Sequence, residues 1–290
     1  MGFKTILYEV NNRVATITLN RPKQLNAISA DLSRELPLAV SRAESDSDVH
    51  VILLQGAGEG FCSGYDLVEF AENEEEHPCS QSMPWDSTID YQTMWRSTEN
   101  FMSLWRCNKP VITKIHGAAI AGGSDLALCS DLIIMAEDAV IGYPPARVWG
   151  VPTTMMWVYR VGIENAKRML FTGDLISGKE AQDMGLILKA VPKTELDAEV
   201  SKLCERIKGV PRNQLMMTKM VVNQAYENMG LKTTQMFATM FDGMARHSPE
   251  GKWFEQRAQE KGFKTAVKER DSGDYIAPRV SKVFKDDELF

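Results

Sequence analysis

The chain has 290 residues, of which 44% are hydrophobic and 25% are charged, as is typical of globular proteins. This composition excludes a disordered chain, a collagen-like fibre and a low-complexity array. The length allows one large domain or two small ones. The 39 acidic and 33 basic residues give a net charge of −6, and no basic run is present. We therefore expect the chain to bind neither nucleic acid nor an anionic membrane surface.

The five cysteines lie far apart and form no C-x-x-C pair, which argues against a zinc ribbon or a thioredoxin-like site. The four histidines form no metal-binding pattern, so we predict no metal site. The N-terminus lacks the apolar segment of a signal peptide, and no apolar run approaches the ~18 residues of a membrane span. Scattered cysteines are typical of a reducing compartment, and a cytoplasmic location is the prediction.

The first predicted elements are a hairpin, a helix and a buried strand. Thr5–Val10 and Val14–Leu19 are β-rich runs joined by an Asn-Asn turn signal, which predicts a hairpin. Apolar residues three or four positions apart over residues 32–43 then predict a helix, which Pro37 is expected to kink or split. Val49–Gln55 is a short apolar run, typical of a strand that is covered on both faces.

The alternation continues after an acidic segment over residues 71–90, which is predicted to be a loop. Strands that alternate with helices through glycine-rich turns indicate an α/β fold. The elements predicted in this part are a helix (Tyr91–Arg106), a strand (Val111–Ile115), a short helix (Asp125–Ser130) and a strand (Leu132–Ala136).

From about residue 195 onward the pattern predicts helices alone. No Pro/Gly/Ser-rich linker separates this part from the preceding one. We therefore expect an α/β core over residues 1–195, which holds the active site, to pack against a helical region over residues 196–290. The predicted helices are Glu195–Lys208, one that Pro211 opens, Thr233–Arg246 and Pro249–Glu269.

Two glycine-rich motifs follow predicted strands and lead into helices. The first is Phe61–Leu67 (FCSGYDL), and the second is His116–Leu128 (HGAAIAGGSDLAL). Such turns leave free backbone N–H groups at a helix start, where negative charge is stabilised. Two of these groups that converge on one oxygen would form an oxyanion hole. The alternative is that both motifs are tight turns packed against a sheet.

These motifs belong to an ordered set over about residues 5–195 that resembles the enoyl-CoA hydratase/isomerase family, the crotonase superfamily. The resemblance implies a crotonase-like spiral of ββα units with a C-terminal helical trimerisation region. It also implies a homotrimer or a dimer of trimers, and an acyl-CoA substrate with no separate cofactor. The matching segments are Asn20-Arg21-Pro22, Leu25-Asn26-Ala27, the two glycine-rich motifs, Lys109-Pro110, Cys129–Leu132, Phe171-Thr172-Gly173, Glu180–Leu186 and Val191-Pro192.

By motif position, the resemblance implies that the backbone N–H groups of Tyr65 and Gly122 hold the thioester oxygen. Asp125 takes the position of the first catalytic carboxylate, which is usually a glutamate in hydratases. An aspartate there is one methylene shorter. The alternative for Asp125 is a purely electrostatic role at the helix start.

The second carboxylate of the family is absent, because Pro145 takes its position and proline cannot transfer a proton. Three neighbouring side chains are candidate replacements in the pocket: Tyr143, Arg147 and Trp149. An acid from the loop after residue 68, Glu69 or Glu72, is a further candidate. The matching segments also predict substrate contacts by Lys23, Leu25, Ala27, Phe61, Ser63, Asp66 and Leu67, and the C-terminal lysines Lys252, Lys261 or Lys264 are candidates to bind the CoA phosphates.

Hydration of an unsaturated acyl-CoA is the plainest reaction for this set of residues. Isomerisation of the double bond needs only one proton-transferring group and so fits a single carboxylate better. The alternatives are hydrolysis of a thioester or of a carbon–carbon bond, and a non-catalytic homologue that binds acyl-CoA or RNA. The acidic charge argues against RNA.

Overall fold

The computed structural model describes residues 2–73 and 77–274. Strands and helices alternate through the first two thirds of this part of the chain, and helices alone follow. The strands that it contains are β1 (Ile6–Asn11), β2 (Val14–Leu19), β3 (Val51–Gly56), β4 (Val111–Ile115), β5 (Ala118–Ile120), β6 (Leu132–Ala136), β7 (Val140–Gly142), β8 (Leu175–Ser177) and β9 (Lys189–Val191). The α-helices are α1 (Ala30–Ser45), α2 (Ser87–Arg106), α3 (Gly122–Leu128), α4 (Met156–Thr172), α5 (Gly178–Asp183), α6 (Leu196–Lys208), α7 (Arg212–Asn228), α8 (Leu231–His247), α9 (Pro249–Lys261) and α10 (Phe263–Arg270).

The strands form two sheets, and the chain passes back and forth between them. One has six strands in the order β1-β2-β3-β4-β6-β9, in which only the β1–β2 hairpin is antiparallel. The other has three strands in the order β5-β7-β8. Because only His116 and Gly117 separate β4 from β5, the chain turns sharply from the first sheet to the second. The α/β prediction is confirmed.

Several predicted bounds agree with the structure and others differ. The strands over Val14–Leu19, Val111–Ile115 and Leu132–Ala136 have the predicted bounds. Pro37, which was predicted to kink or split this helix, does not split it, because α1 is one helix whose buried apolar residues lie on both sides of that proline. The helix predicted to begin at Tyr91 already begins at Ser87, where the Asp86 side chain accepts hydrogen bonds from the first free amides.

The C-terminal helices fold back onto the α/β part. Helix α6 packs on strands β3, β4 and β6, and α8 packs on α2. The single helix predicted over Pro249–Glu269 is wrong, because Gly262, with a φ of +82°, ends α9 and begins α10. No helix in the described ranges is both long and apolar enough to cross a membrane. The division into two parts near residue 195 stays a prediction.

Candidate active site

A cavity of about 900 Å³ lies between the α/β part and the C-terminal helices. Residues of both glycine-rich motifs line it, together with residues of α1, α2, α8 and α10. Most of the residues predicted to form a site line this one cavity: Lys23, Leu25, Ala27, Ser63, Tyr65, Asp66, Leu67, Gly122, Asp125, Tyr143, Pro145 and Trp149. Side chains that are far apart in the sequence therefore share one site.

Two predicted contact residues lie outside the cavity lining. Phe61 is fully buried in the hydrophobic core. Arg147 donates from Nε to the carbonyl oxygen of Thr172 (2.7 Å) and from Nη1 to Asp271 Oδ1 (3.0 Å). Its guanidinium therefore holds the end of α10 against the core and is not free for a ligand in the cavity.

The acids of the loop after residue 68 also hold other parts of the chain. The Glu69 carboxylate accepts a hydrogen bond from the first amide of α1, that of Ala30 (3.1 Å). Glu72 accepts one from the first amide of α10, that of Phe263. Acids at helix starts are stabilised there by the unpaired N–H groups. Neither carboxylate lines the cavity beside Asp125.

The amides of Tyr65 and Gly122 lie next to each other at the cavity wall. Gly64 has a φ of +99°, and a Cβ atom added to it would stand 3.4 Å from the Gly122 nitrogen. Gly122 is the first residue of α3, so its N–H has no acceptor within the helix. Within the part of the chain that the structure describes, neither amide donates a hydrogen bond to another residue. Two neighbouring free donors are what an oxyanion requires.

Ala121 sets the direction of the Gly122 amide. It has a φ of 54° and a ψ of −125°, a conformation that residues with a side chain rarely adopt. Its amide donates to the Gly142 carbonyl (2.9 Å), and its carbonyl accepts from the amides of Ser124 (2.9 Å) and Asp125 (3.2 Å). These bonds hold the strained turn in place, as is common at functional sites.

The Tyr65 ring covers the glycine. A Cβ atom added to Gly122 would lie 2.9 Å from Tyr65 Cε2. The same ring stacks on Phe101 with centroids 6.1 Å apart and meets the edge of Phe70 at 5.9 Å. The donors therefore lie beside an apolar aromatic wall, where a hydrogen bond is electrostatically stronger than in water.

Asp125 lies on α3 and points into the same cavity. Its side chain is buried, and Oδ1 accepts a hydrogen bond from Thr154 Oγ1 (3.1 Å). Burial raises the pKa of the Asp125 carboxyl well above its usual value, and the Asp242 carboxyl adds to this rise. A protonated carboxyl in a cleft can donate a proton, as catalytic acids do.

Pro145 lies in a single 3₁₀ turn (Pro144–Ala146) at the edge of the cavity. Burial raises the pKa of the neighbouring Tyr143 phenol well above its usual value, and the Asp125 carboxyl contributes. Trp149 also lines the cavity, and its ring packs against Phe254 of α9 with centroids 5.0 Å apart. Of the three predicted replacements for the missing carboxylate, Tyr143 and Trp149 therefore lie at the cavity.

A buried ion cluster borders the cavity on the side of α8. Arg246 Nε lies 3.1 Å from Asp242 Oδ2, and Arg246 Nη1 lies 2.8 Å from Asp90 Oδ1. Asp242 Oδ1 accepts a hydrogen bond from the Val151 amide (2.9 Å). Asp242 and Arg246 line the cavity, whereas Asp90 does not.

Comparison with known proteins agrees with this geometry. The family model for enoyl-CoA hydratase/isomerase matches residues 9–260. The chain belongs to the enoyl-CoA hydratase/isomerase family. It is 32% identical over 228 residues to a probable mitochondrial enoyl-CoA hydratase of Dictyostelium discoideum, and the match covers 78% of this chain and 77% of the relative. It is 34% identical over 221 residues to a peroxisomal Delta(3,5)-Delta(2,4)-dienoyl-CoA isomerase of Arabidopsis thaliana, with 75% and 80% covered.

Solved structures of this family show the same fold. The crystal structure of an enoyl-CoA hydratase from Mycobacterium smegmatis superposes with a TM-score of 0.86 and 48% identity, covering 93% of this chain and 94% of that chain. An enoyl-CoA hydratase/isomerase from Xanthobacter autotrophicus also gives a TM-score of 0.86, at 29% identity, covering 94% of this chain and all of that chain. The expected crotonase fold is thereby confirmed.

Asp242 and Arg246 line the cavity but were not predicted as site residues from the sequence. A local signal was present: an acid and a base four positions apart in a helix that is otherwise rich in Met and Phe. Such a pair on one helix face is usually a solvent-exposed ion pair. Its burial depends on the packing of α8 against α2, which the sequence does not show.

Proposed function

We propose that this protein moves a carbon–carbon double bond within an unsaturated acyl-CoA thioester. The observation that carries the proposal is the placement of the free Tyr65 and Gly122 amides in one cavity with the protonatable Asp125 carboxyl. The reaction needs no metal and no cofactor other than the CoA of the substrate. No group of three or more metal-ligating side chains occurs in the described ranges.

The two amides stabilise the charge that forms when the substrate loses a proton. Removal of a proton from C2 of the acyl chain creates an enolate whose negative charge rests on the thioester oxygen. Donors at fixed positions bind that oxygen more tightly in the transition state than in the substrate. One such donor is worth about 3–4 kcal/mol in comparable sites. The amide pair lowers the barrier, and the Tyr65 side chain is not needed for this step.

Asp125 transfers the proton. Movement of the double bond by one carbon, from C3–C4 to C2–C3, removes a hydrogen from C2 and adds one to C4, with no water consumed. A single carboxyl that reaches both carbons is sufficient, whereas hydration needs a second group to orient water. The Thr154 hydroxyl fixes Asp125 Oδ1 and leaves the other oxygen to face the substrate. Isomerisation therefore fits Asp125 better than hydration does.

The rim of the cavity carries the cations that a CoA group needs. Because the chain has a net charge of −6, local cations must attract the phosphates. Lys23, Lys264 and Arg270 line the cavity. Lys252 lies outside it and pairs with Glu255 (2.8 Å), so of the three C-terminal lysines only Lys264 reaches the lining. We assign the phosphates to this rim and the acyl chain to the aromatic wall at Tyr65.

An exposed apolar face supports the proposed assembly into a homotrimer or a dimer of trimers. On the outer side of α8, five large side chains are each 43–56% exposed, and they recur at helical spacing. Contiguous exposed apolar side chains often mark interaction surfaces. They are Met236, Phe237, Met240, Phe241 and Met244. The cysteines are free thiols, which fits the proposed cytoplasmic location.

The test follows the absorbance of the conjugated enoyl thioester with two substrates. A 3-enoyl-CoA should gain absorbance as its double bond moves into conjugation, which would support the proposal. Loss of absorbance from a 2-enoyl-CoA, with no reaction of the 3-enoyl-CoA, would replace isomerisation by hydration. Release of free CoA thiol would indicate hydrolysis. Calorimetric binding of acyl-CoA with no product from any substrate would favour a non-catalytic binding protein.

A further inference from the structure

The cavity holds a second carboxyl that the isomerisation described above does not use. Asp242 extends from the inner side of α8 and lines the cavity together with Asp125. It is only 4% exposed. A Cβ atom added to Gly150 would lie 3.4 Å from Asp242 Oδ1 and 3.3 Å from the Tyr143 hydroxyl, so both groups border the same point beside Pro145. Asp242 thus reaches the region where Pro145 offers no ionisable group.

If Asp242 had only a structural role, the presence of two carboxylates in the ion cluster would be unexplained. Arg246 carries one positive charge, and it contacts two buried carboxylates, Asp90 and Asp242. Burying two carboxylates on one cation is costly, and one would be enough to neutralise it. Asp90 does not line the cavity, and it can serve that purpose. Asp242 is the carboxylate that faces the cavity.

Burial raises the pKa of both Asp125 and Asp242, but the groups around the two carboxyls differ. Among the described residues, Asp125 has no cationic partner, and the one side-chain hydrogen bond that it accepts there comes from a neutral hydroxyl. Asp242 is held by the Arg246 guanidinium and by the Val151 amide, both of which favour its ionised form. The Asp242 charge in turn favours a protonated Asp125. When neighbouring groups favour the ionised form of one carboxyl and the protonated form of the other, the two are suited to serve as base and acid.

We propose, on the basis of the proposed isomerisation, that Asp242 is the base and Asp125 is the acid of a two-group proton transfer. Asp242 takes a proton from C2, and the electron pair of that C–H bond forms an enolate held by the amides of Tyr65 and Gly122. Asp125 donates its proton to C4 while the double bond forms between C2 and C3. The product has gained one proton and lost one, and exchange with solvent returns each carboxyl to its starting state. Arg246 is a positioning residue for Asp242.

An isotope label distinguishes this route from a shuttle by Asp125 alone. A 3-enoyl-CoA with deuterium at C2 is converted by the wild-type protein in ordinary water, and the product is analysed by mass spectrometry and NMR. Two groups deliver a solvent proton to C4, so the product should carry no deuterium there. Deuterium found at C4 would show that one group carries the hydrogen across, and would overturn the role of Asp242. This measurement needs no variant.

Substitution gives a second test with a matched control. Asp242→Asn should lower kcat by about 100-fold or more, as expected for loss of a general base. Asp90→Asn removes a carboxylate from the same arginine but from outside the cavity lining, and it should lose much less kcat than Asp242→Asn once corrected for folded protein. Equal losses in the two variants would indicate a purely structural cluster and would overturn the proposal.

The remaining outcomes are also decisive. A large loss in Tyr143→Phe, with full activity in Asp242→Asn, would transfer the role to the phenol. If the wild-type protein converts no 3-enoyl-CoA, the proposed isomerisation fails, and this assignment fails with it. Turnover with deuterium at C4 leaves the isomerisation standing and removes only the role of Asp242.

Discussion

The amide nitrogen of Gly122 lies against the backbone of Gly64, so closely that a Cβ atom on Gly64 would stand 3.4 Å from it. The two glycines come from different motifs, one after β3 and the other after β5. Only a residue without a side chain fits at Gly64, where φ is +99° and Cβ would also lie 2.9 Å from Cβ of Ala121. This contact brings the amides of Tyr65 and Gly122 to one side of the cavity.

Loss of the Gly122 N–H should impair turnover more than crowding at that position does. Gly122→Ala and Gly122→Pro both add a Cβ atom against the Tyr65 ring, but only proline removes the amide hydrogen. Relative to the alanine variant, the proline variant is expected to lose about 100-fold or more in kcat. Both are measured as folded protein, verified by circular dichroism. Equal activities of the two variants would refute the oxyanion assignment.

Asp125→Asn should abolish proton transfer while leaving substrate binding intact. Asparagine keeps an oxygen for the Thr154 hydroxyl but cannot exchange a proton at neutral pH. We expect kcat to fall by about 100-fold or more, while the Kd for a saturated acyl-CoA, measured by calorimetry, changes little. Unchanged turnover would leave Asp125 with only a role at the start of α3.

The same substitution should stabilise the protein at neutral pH. Burial raises the pKa of Asp125 in the folded state above its value in the unfolded chain. Its contribution to stability is therefore fully present below the unfolded pKa and is lost as the pH rises towards the folded pKa. An asparagine side chain does not titrate and has no such loss, so Asp125→Asn is expected to raise Tm by about 2 °C or more near neutral pH, and by less in mild acid. A Tm difference that does not vary with pH would contradict the raised pKa.

Pro145→Glu should introduce hydration of 2-enoyl-CoA. Pro145 lines the cavity within a short 3₁₀ turn, and a glutamate there would add a carboxyl able to orient water. We expect hydration to rise about tenfold or more over wild type, a modest share of what a well-placed acid–base group provides. Pro145→Gln is the matched control, because it has the same length and no ionisable group. Equal hydration by the two variants would show that the missing carboxylate is not what limits this reaction.

Assembly should depend on the exposed apolar face of α8. Phe237 is 56% exposed on that face, whereas Leu38 is 60% exposed on α1. By analytical ultracentrifugation, wild type and Leu38→Asp are expected to sediment as three or six chains and Phe237→Asp as a single chain, because a buried unpaired charge is costly. Unchanged assembly of Phe237→Asp would exclude this face as the interface.

Features that depend on a few consecutive residues could be predicted from the sequence. Strands β2, β4 and β6 have the predicted bounds because apolar runs and the turn residues that end them act locally. That Tyr65, Gly122 and Asp125 share one cavity was likewise expected from the family resemblance, since each lies inside a short glycine-rich motif. The bounds of α3 were not, because it begins where Ala121 adopts a conformation that alanine rarely adopts.

Only the tertiary structure decided which distant side chains share the cavity. Asp242, Arg246 and Asp90 lie on two helices, and they meet because α8 packs against α2. In the same way, Phe61 lies in a matching motif and Arg147 lies close to Pro145, yet one faces the core and the other holds α10. The local pattern shows that a segment has an apolar face, but the surface that this face packs against depends on contacts across the whole chain. Burial of a charged group, and with it the pKa of that group, is therefore set by packing.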